Sequence, residues 1–154
     1  MFTFDKNRPK ATKHHKMKDS VSLSLRGNMS FDVEVNGHRM TIDSSREFGG
    51  NDEGPRPKSL MLVALGGCTG MDMASILRKM RVPFEGLRVK VEGNITGDHP
   101  RHFDTMHIVY FIKGKNIPAD KAELAAKLSQ EKYCGVSYSY RASIKITHEI
   151  IYED

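Results

Sequence analysis

The chain has 154 residues, 38% of them apolar and 28% charged, with a formal net charge of +5. That length and balance exclude a low-complexity or disulfide-stapled miniature protein and point to one domain able to bury its own core. The charged start lacks the apolar segment of a secretory signal, and the apolar run 60–65 is far too short to span a bilayer, so neither export nor a membrane anchor is expected.

The surplus charge sits mostly at the front. Lys6, Arg8, Lys10, Lys13, Lys16 and Lys18 face a single Asp5, so residues 1–18 read as a basic extension ahead of one domain at 19–154. Without it the domain is close to neutral, and polyanion binding is not its main message. From 21 to 25 and from 30 to 35 the chain alternates with period two. The second run places Phe31, Val33 and Val35 on one face. Asn36-Gly37 then precedes a third run at 39–43; this dipeptide suits a two-residue hairpin, whose turn positions need positive φ. Residues 21–43 are therefore expected as an antiparallel meander.

A polar, Gly- and Pro-rich loop follows at 44–57, and a long helix is expected from about 59 to 81. Pro57 suits the helix start, and Arg78, Lys79 and Arg81 suit the negative end of its dipole. Its first half is apolar on every side, which demands cover on every side. Two strands at 86–96 and 105–114 form an antiparallel pair, a second helix covers 118–133, a short helix or turn follows Cys134, and a strand closes the chain. The order βββ-α-ββ-α-β is an α+β fold rich in antiparallel sheet.

Two cysteines in a chain without an export signal suit a reducing, cytoplasmic setting, where such thiols are catalytic, redox-active or merely buried. Cys68 falls in mid-helix, too far from the N-terminus for the dipole to help ionise it, so reactivity there requires a cation from elsewhere. Arg46, Arg56 and Lys58 are the candidates. Gly66 and Gly67 each weaken a helix by roughly 1 kcal/mol against alanine. With Ala64, Thr69, Gly70 and Ala74 they make it thin, and a close helix–helix crossing at Cys68 is one reading; ordinary tight packing is the other. Cys134 can bridge to Cys68 only if their Cα atoms come within about 5–6 Å.

Other patterns carry little. His99 and His102 stand at i, i+3 with His107 following, but a metal site needs a third and fourth ligand of settled geometry and these read as scattered loop histidines; His14-His15 lies in the extension, and 49–54 lacks an EF-hand register. No phosphate-cradling glycine loop and no G-x-S-x-G elbow occurs. Met61, Met71, Met73 and Met80 read as adaptable core.

The stretch RPKSLMLVALGGCTGMDMASILRKMRV, the segment KYCGVS and the element order resemble the OsmC/Ohr family, closest to its YhfA-like branch, over residues 21 to about 152. The resemblance implies an OsmC-like intertwined homodimer, with sheets wrapped around two long central helices and an active site at the subunit seam. It implies thiol peroxidase chemistry on organic hydroperoxides. Cys68 matches the peroxidatic cysteine, Cys134 the resolving cysteine, and Arg46 the thiolate-activating arginine. Phe48, Leu65, Met71 and Tyr138 are then expected to line an apolar substrate pocket. A dithiol of the lipoyl type would restore the pair, with no metal and no bound cofactor.

One departure bears on activity. Peroxidases of the family carry a glutamate at the start of the central helix, where this chain reads Pro57-Lys58-Ser59-Leu60. Lys58 adds positive charge but cannot orient an arginine as a carboxylate does; Glu53 in the preceding loop is the candidate substitute. The competing expectation is a redox-sensing or small-molecule-binding protein on the same fold with little turnover. A nucleic-acid partner working through residues 1–18 is not favoured, because the domain has no base-reading motif.

Overall fold

The computed structural model describes residues 16–154. Most of the basic extension therefore lies outside the described residues, and positions 16–20 are exposed without regular structure.

Strands β1 (Val21–Gly27), β2 (Ser30–Val35) and β3 (His38–Ile42) form an antiparallel meander in that order. The β2–β3 turn is the expected one. Asn36 and Gly37 adopt φ of 52° and 78°, and Val35 pairs with His38 across them. The register sets Val21 against Val35, Leu23 against Val33 and Leu25 against Phe31, so one face of this sheet is apolar. Val33 is buried, yet Val21, Leu23 and Leu25 stay exposed at 55%, 47% and 63%. The whole of β1 lacks cover among the described residues.

The loop after β3 is held by Asp43. Its carboxylate accepts the backbone N–H groups of Ser44, Asn51 and Glu53 at 2.7, 3.0 and 3.1 Å. Its own N–H donates to the Pro55 carbonyl at 3.2 Å. Burial works against the charge, but these donors outweigh it and hold the Asp43 carboxyl down at about 2. A single 3₁₀ turn at Arg46–Phe48 lies on the outside of this loop.

Helix α1 (Pro57–Lys79) begins at proline, as expected, and ends in Arg78 and Lys79. It packs on the second sheet, whose order is β4 (Gly86–Ile95), β5 (Phe103–Lys113), β6 (Lys145–Glu153). β4 and β5 are antiparallel, whereas β6 runs parallel to β5. The parallel partner requires a crossover, supplied by α2 (Ala119–Leu128), a wide π-type turn at Ser129–Tyr133, and α3 (Gly135–Tyr140). The helix expected over 118–133 is present as α2 running directly into the π-type turn, with the backbone still helical at Leu128 and Ser129.

The core lies between α1, α2 and this sheet. Leu65, Met73 and Leu77 of α1 meet Met106, Ile108, Tyr110 and Ile112 of β5 and Ala122, Ala125 and Ala126 of α2. Only one side of α1 is buried, by Leu65, Thr69, Met73, Ile76 and Leu77; Val63 and Met71 stay exposed at 64% and 76%. By length and composition alone α1 is apolar enough to cross a membrane. Its packed side makes it a core helix of this domain.

The small residues of α1 face two ways. A Cβ on Gly66 would meet Val91 Cγ2 at 3.0 Å, and one on Gly70 would meet Val89 Cγ2 at 3.1 Å. Those two glycines admit β4, not another helix, which corrects half of the crossing expected from sequence. Among the described residues Gly67 has no heavy atom within 4 Å of its would-be Cβ, and it lies on the open side with Val63 and Met71.

Candidate functional site

Cys68 sits half-buried on α1, one helical turn before Asp72. Cys134 is 2% exposed and caps the N-terminus of α3, its Sγ accepting the Ser137 N–H at 3.2 Å. Fold and sequence place these elements far apart in the chain, but one Sγ from each cysteine and a carboxylate oxygen of Asp72 all lie within 4.8 Å of one another.

The wide turn after α2 delivers Cys134 to this place, and polar anchors hold the turn. Buried Ser129 donates its hydroxyl to Asp72 Oδ2 at 2.9 Å, tying the turn to α1. The Gln130 side chain reaches His148 Nδ1 of β6 at 3.0 Å, and His148 Nε2 meets Glu123 Oε2 of α2, also at 3.0 Å. With the Gln130 amide nitrogen donating to Nδ1, the ring proton sits on Nε2 and points at Glu123. The Cys134 N–H closes the turn on the Ser129 carbonyl at 2.7 Å.

Burial pushes the Cys68 thiol up, and the Cys134 side chain adds to that. A backbone hydrogen bond from Val136 pulls the other way, while the charges of Cys134 and Asp72 push up again. Both charges acting on Cys68 are negative, so among the described residues nothing supplies the cation that the sequence expectation of an activated thiolate requires.

The other expected site residues do not gather here within the chain. Arg46 and Phe48 lie exposed on the 3₁₀ turn. Glu53 is engaged by the first sheet: Ser30 Oγ donates to it at 3.2 Å and Arg26 pairs with it at 3.7 Å. Lys58 donates to the Arg101 carbonyl at 3.3 Å. It also precedes Cys68 by ten residues, about 15 Å along the helix, too far to act on that sulfur. Leu65 is fully buried in the core. Met71 and Tyr138 are exposed, with the Arg141 guanidinium 4.5 Å from the Tyr138 ring centre.

Sequence reasoning missed Asp72, Ser129, Gln130 and Tyr110. Asp72 was findable, because C-x-x-x-D on a helix puts both side chains on one face. Tyr110 of β5 is fully buried and its hydroxyl lacks a hydrogen-bond partner among the described residues. Burial pushes the phenol up; Thr69 and Gln130 stand near enough to ease that, without a well-formed bond, and Cys134 and Asp72 add to it. The Thr69 hydroxyl donates instead to Leu65 O at 2.8 Å.

Residues 49–149 match the family described as OsmC-like protein. The chain belongs to the OsmC family. Protein YhfA of Escherichia coli K12 is 30% identical over 114 residues, covering 74% of this chain and 82% of YhfA. A crystal structure of a hypothetical protein from Aquifex aeolicus VF5 shares 29% identity with a TM-score of 0.77, over 90% of this chain and all of that one (100%). An organic hydroperoxide resistance protein from Elizabethkingia anophelis, 13% identical, matches with a TM-score of 0.71 over 92% of this chain and 100% of its own; at that identity the likeness shows the OsmC fold alone.

Proposed function

We propose that this OsmC-family protein is a thiol-dependent peroxidase acting on organic hydroperoxides. The observation that carries the reading is the meeting of the Cys68 and Cys134 sulfurs, one half-open and one buried, at the end of a turn anchored on three sides. The Cys68 thiolate attacks the distal oxygen of ROOH. The O–O bond breaks, ROH leaves after taking a proton, and Cys68 becomes a sulfenic acid. The Cys134 thiol condenses with it to a disulfide and water, and a dithiol reductant takes over the disulfide to restore both thiols.

The missing cation fits a homodimer. β1 is open along its length, and the exposed side of α1 has a trough lined by Gly66, Gly67, Met71, Ala74 and Phe84. We read these as surfaces for a second copy, with Arg46 of one copy reaching the Cys68 of the other and Phe48, Met71 and Tyr138 completing an apolar entrance. A peroxidase assay with a bulky organic hydroperoxide and dihydrolipoamide tests this. Wild type should turn over, Cys68→Ser should not, and Arg46→Ala should lose most of the rate. A wild-type protein that consumes no peroxide with any dithiol overturns the reading.

A second reading is supported by the negative surroundings of Cys68 and by Lys58 in place of an acid. It is a sensing protein whose pair oxidises once and is not cycled. One equivalent of peroxide consumed per chain, with a stable Cys68–Cys134 disulfide, is its signature.

A further inference from the structure

We propose that the reduced Cys68–Cys134 pair and Asp72 form a zinc site, binding one Zn²⁺ per chain through two thiolates and one carboxylate. The three candidate ligand atoms lie within 4.8 Å of one another. Zinc bonds of about 2.3 Å to sulfur and 2.0–2.2 Å to oxygen put tetrahedral ligand atoms about 3.5–3.8 Å apart, so the widest pair must close by about 1 Å. Side-chain rotation about Cys68 and Asp72, both only half-buried, covers that.

The surroundings are those of a supported metal centre. Ser129 occupies Asp72 Oδ2, which orients the carboxylate and leaves its other oxygen without a partner among the described residues. A backbone N–H is directed at the Cys134 sulfur, from Ser137 at 3.2 Å, as a thiolate ligand requires. No salt bridge claims Asp72 among the described residues. Three groups that are anionic when ionised thus share one place without a cation among the described residues, and a divalent ion relieves their mutual repulsion. Two thiolates with one carboxylate suit zinc better than magnesium or calcium, which prefer all-oxygen sites. The half-open side at Cys68 leaves the fourth position to water.

On binding, both thiols lose their protons to the buffer and each sulfur donates an electron pair to the metal, with no change of oxidation state. A Cys68–Cys134 disulfide has no thiolate to offer, so oxidation releases the ion. The inference goes beyond peroxidase turnover, since it needs only the reduced pair.

The test uses full-length, chelator-stripped, reduced protein titrated with Zn²⁺, and in parallel with Co²⁺ to read thiolate-to-metal charge transfer. Wild type should retain one Zn²⁺ per chain after gel filtration and show the charge-transfer band. Diamide-oxidised wild type and Cys68→Ser should show neither. Asp72→Asn, which keeps the shape and a Ser129 acceptor, should weaken zinc binding by more than the roughly hundredfold that losing an outer-shell partner costs. Circular dichroism establishes that each variant is folded, and oxidised wild type supplies the same contrast without a mutation. Equal zinc uptake by reduced and oxidised wild type overturns the site, and undiminished affinity in Asp72→Asn overturns the three-ligand assignment. Peroxide consumption is measured separately on the metal-free protein, so failure of either proposal leaves the other standing.

Discussion

Asp72 stands one helical turn beyond Cys68 and brings a carboxylate oxygen within 4.8 Å of that thiol, where among the described residues the other charge acting on Cys68 is that of Cys134. A carboxylate so placed disfavours the thiolate. In metal-free protein, Asp72→Asn should therefore lower the Cys68 pKa. The pH at which iodoacetamide modifies Cys68 at half its limiting rate should move down relative to wild type. An unmoved profile would mean that solvent screens the carboxylate, and that burial alone holds the thiol up.

The local rules were readable where a residue type had one structural use. Asn36-Gly37 made its turn and Pro57 started its helix, because few other conformations accept them. The parallel pairing of β6 was not readable, since register and direction depend on where the crossover lands. Nor was the widening from α to π geometry at Ser129, which no proline or glycine marks; it sets the buried Ser129 hydroxyl on Asp72. The site followed the same division. The two cysteines stood out as chemistry, whereas Asp72 looked like one polar residue on a helix. Its importance comes from a turn some sixty residues later that folds back onto it.

Asp43 ties acid stability to the loop that carries Arg46. Its folded value of about 2 lies below the ordinary 3.8, so the stabilisation is fully present above 3.8 and is lost as pH falls from there to about 2. Wild type should lose denaturant resistance across that window. Asp43→Asn should be less stable at neutral pH and should show a shallower acid dependence. An identical acid profile in the two proteins would show that other carboxylates govern the transition.

Tyr110 presents a buried hydroxyl without a hydrogen-bond partner among the described residues. Removing such a group relieves a desolvated dipole and leaves almost no cavity. Tyr110→Phe should be neutral or more stable by up to about 1 kcal/mol in urea unfolding. A loss of about 1.5 kcal/mol or more would reveal a bond from this hydroxyl, with Gln130 the first partner to examine.

Neighbouring glycines on α1 separate packing within the chain from packing between chains. At Gly66 an added methyl meets Val91 Cγ2 at 3.0 Å. Valine is stiff about χ1 and fixed in β4, so it cannot swing aside. Overpacking of about 1–3 kcal/mol outweighs the roughly 1 kcal/mol gained in helix propensity. Gly66→Ala should therefore lower the thermal midpoint. At Gly67 the same methyl enters open space within the chain. Were that side bare to water, Gly67→Ala would raise the midpoint through propensity alone. If it seats the α1 of a second copy, as proposed, Gly67→Ala should shift sedimentation toward monomer and reduce peroxide turnover with it. A more stable Gly67→Ala protein of unchanged mass would remove α1 from the seam and leave Cys68 without a source for its missing cation.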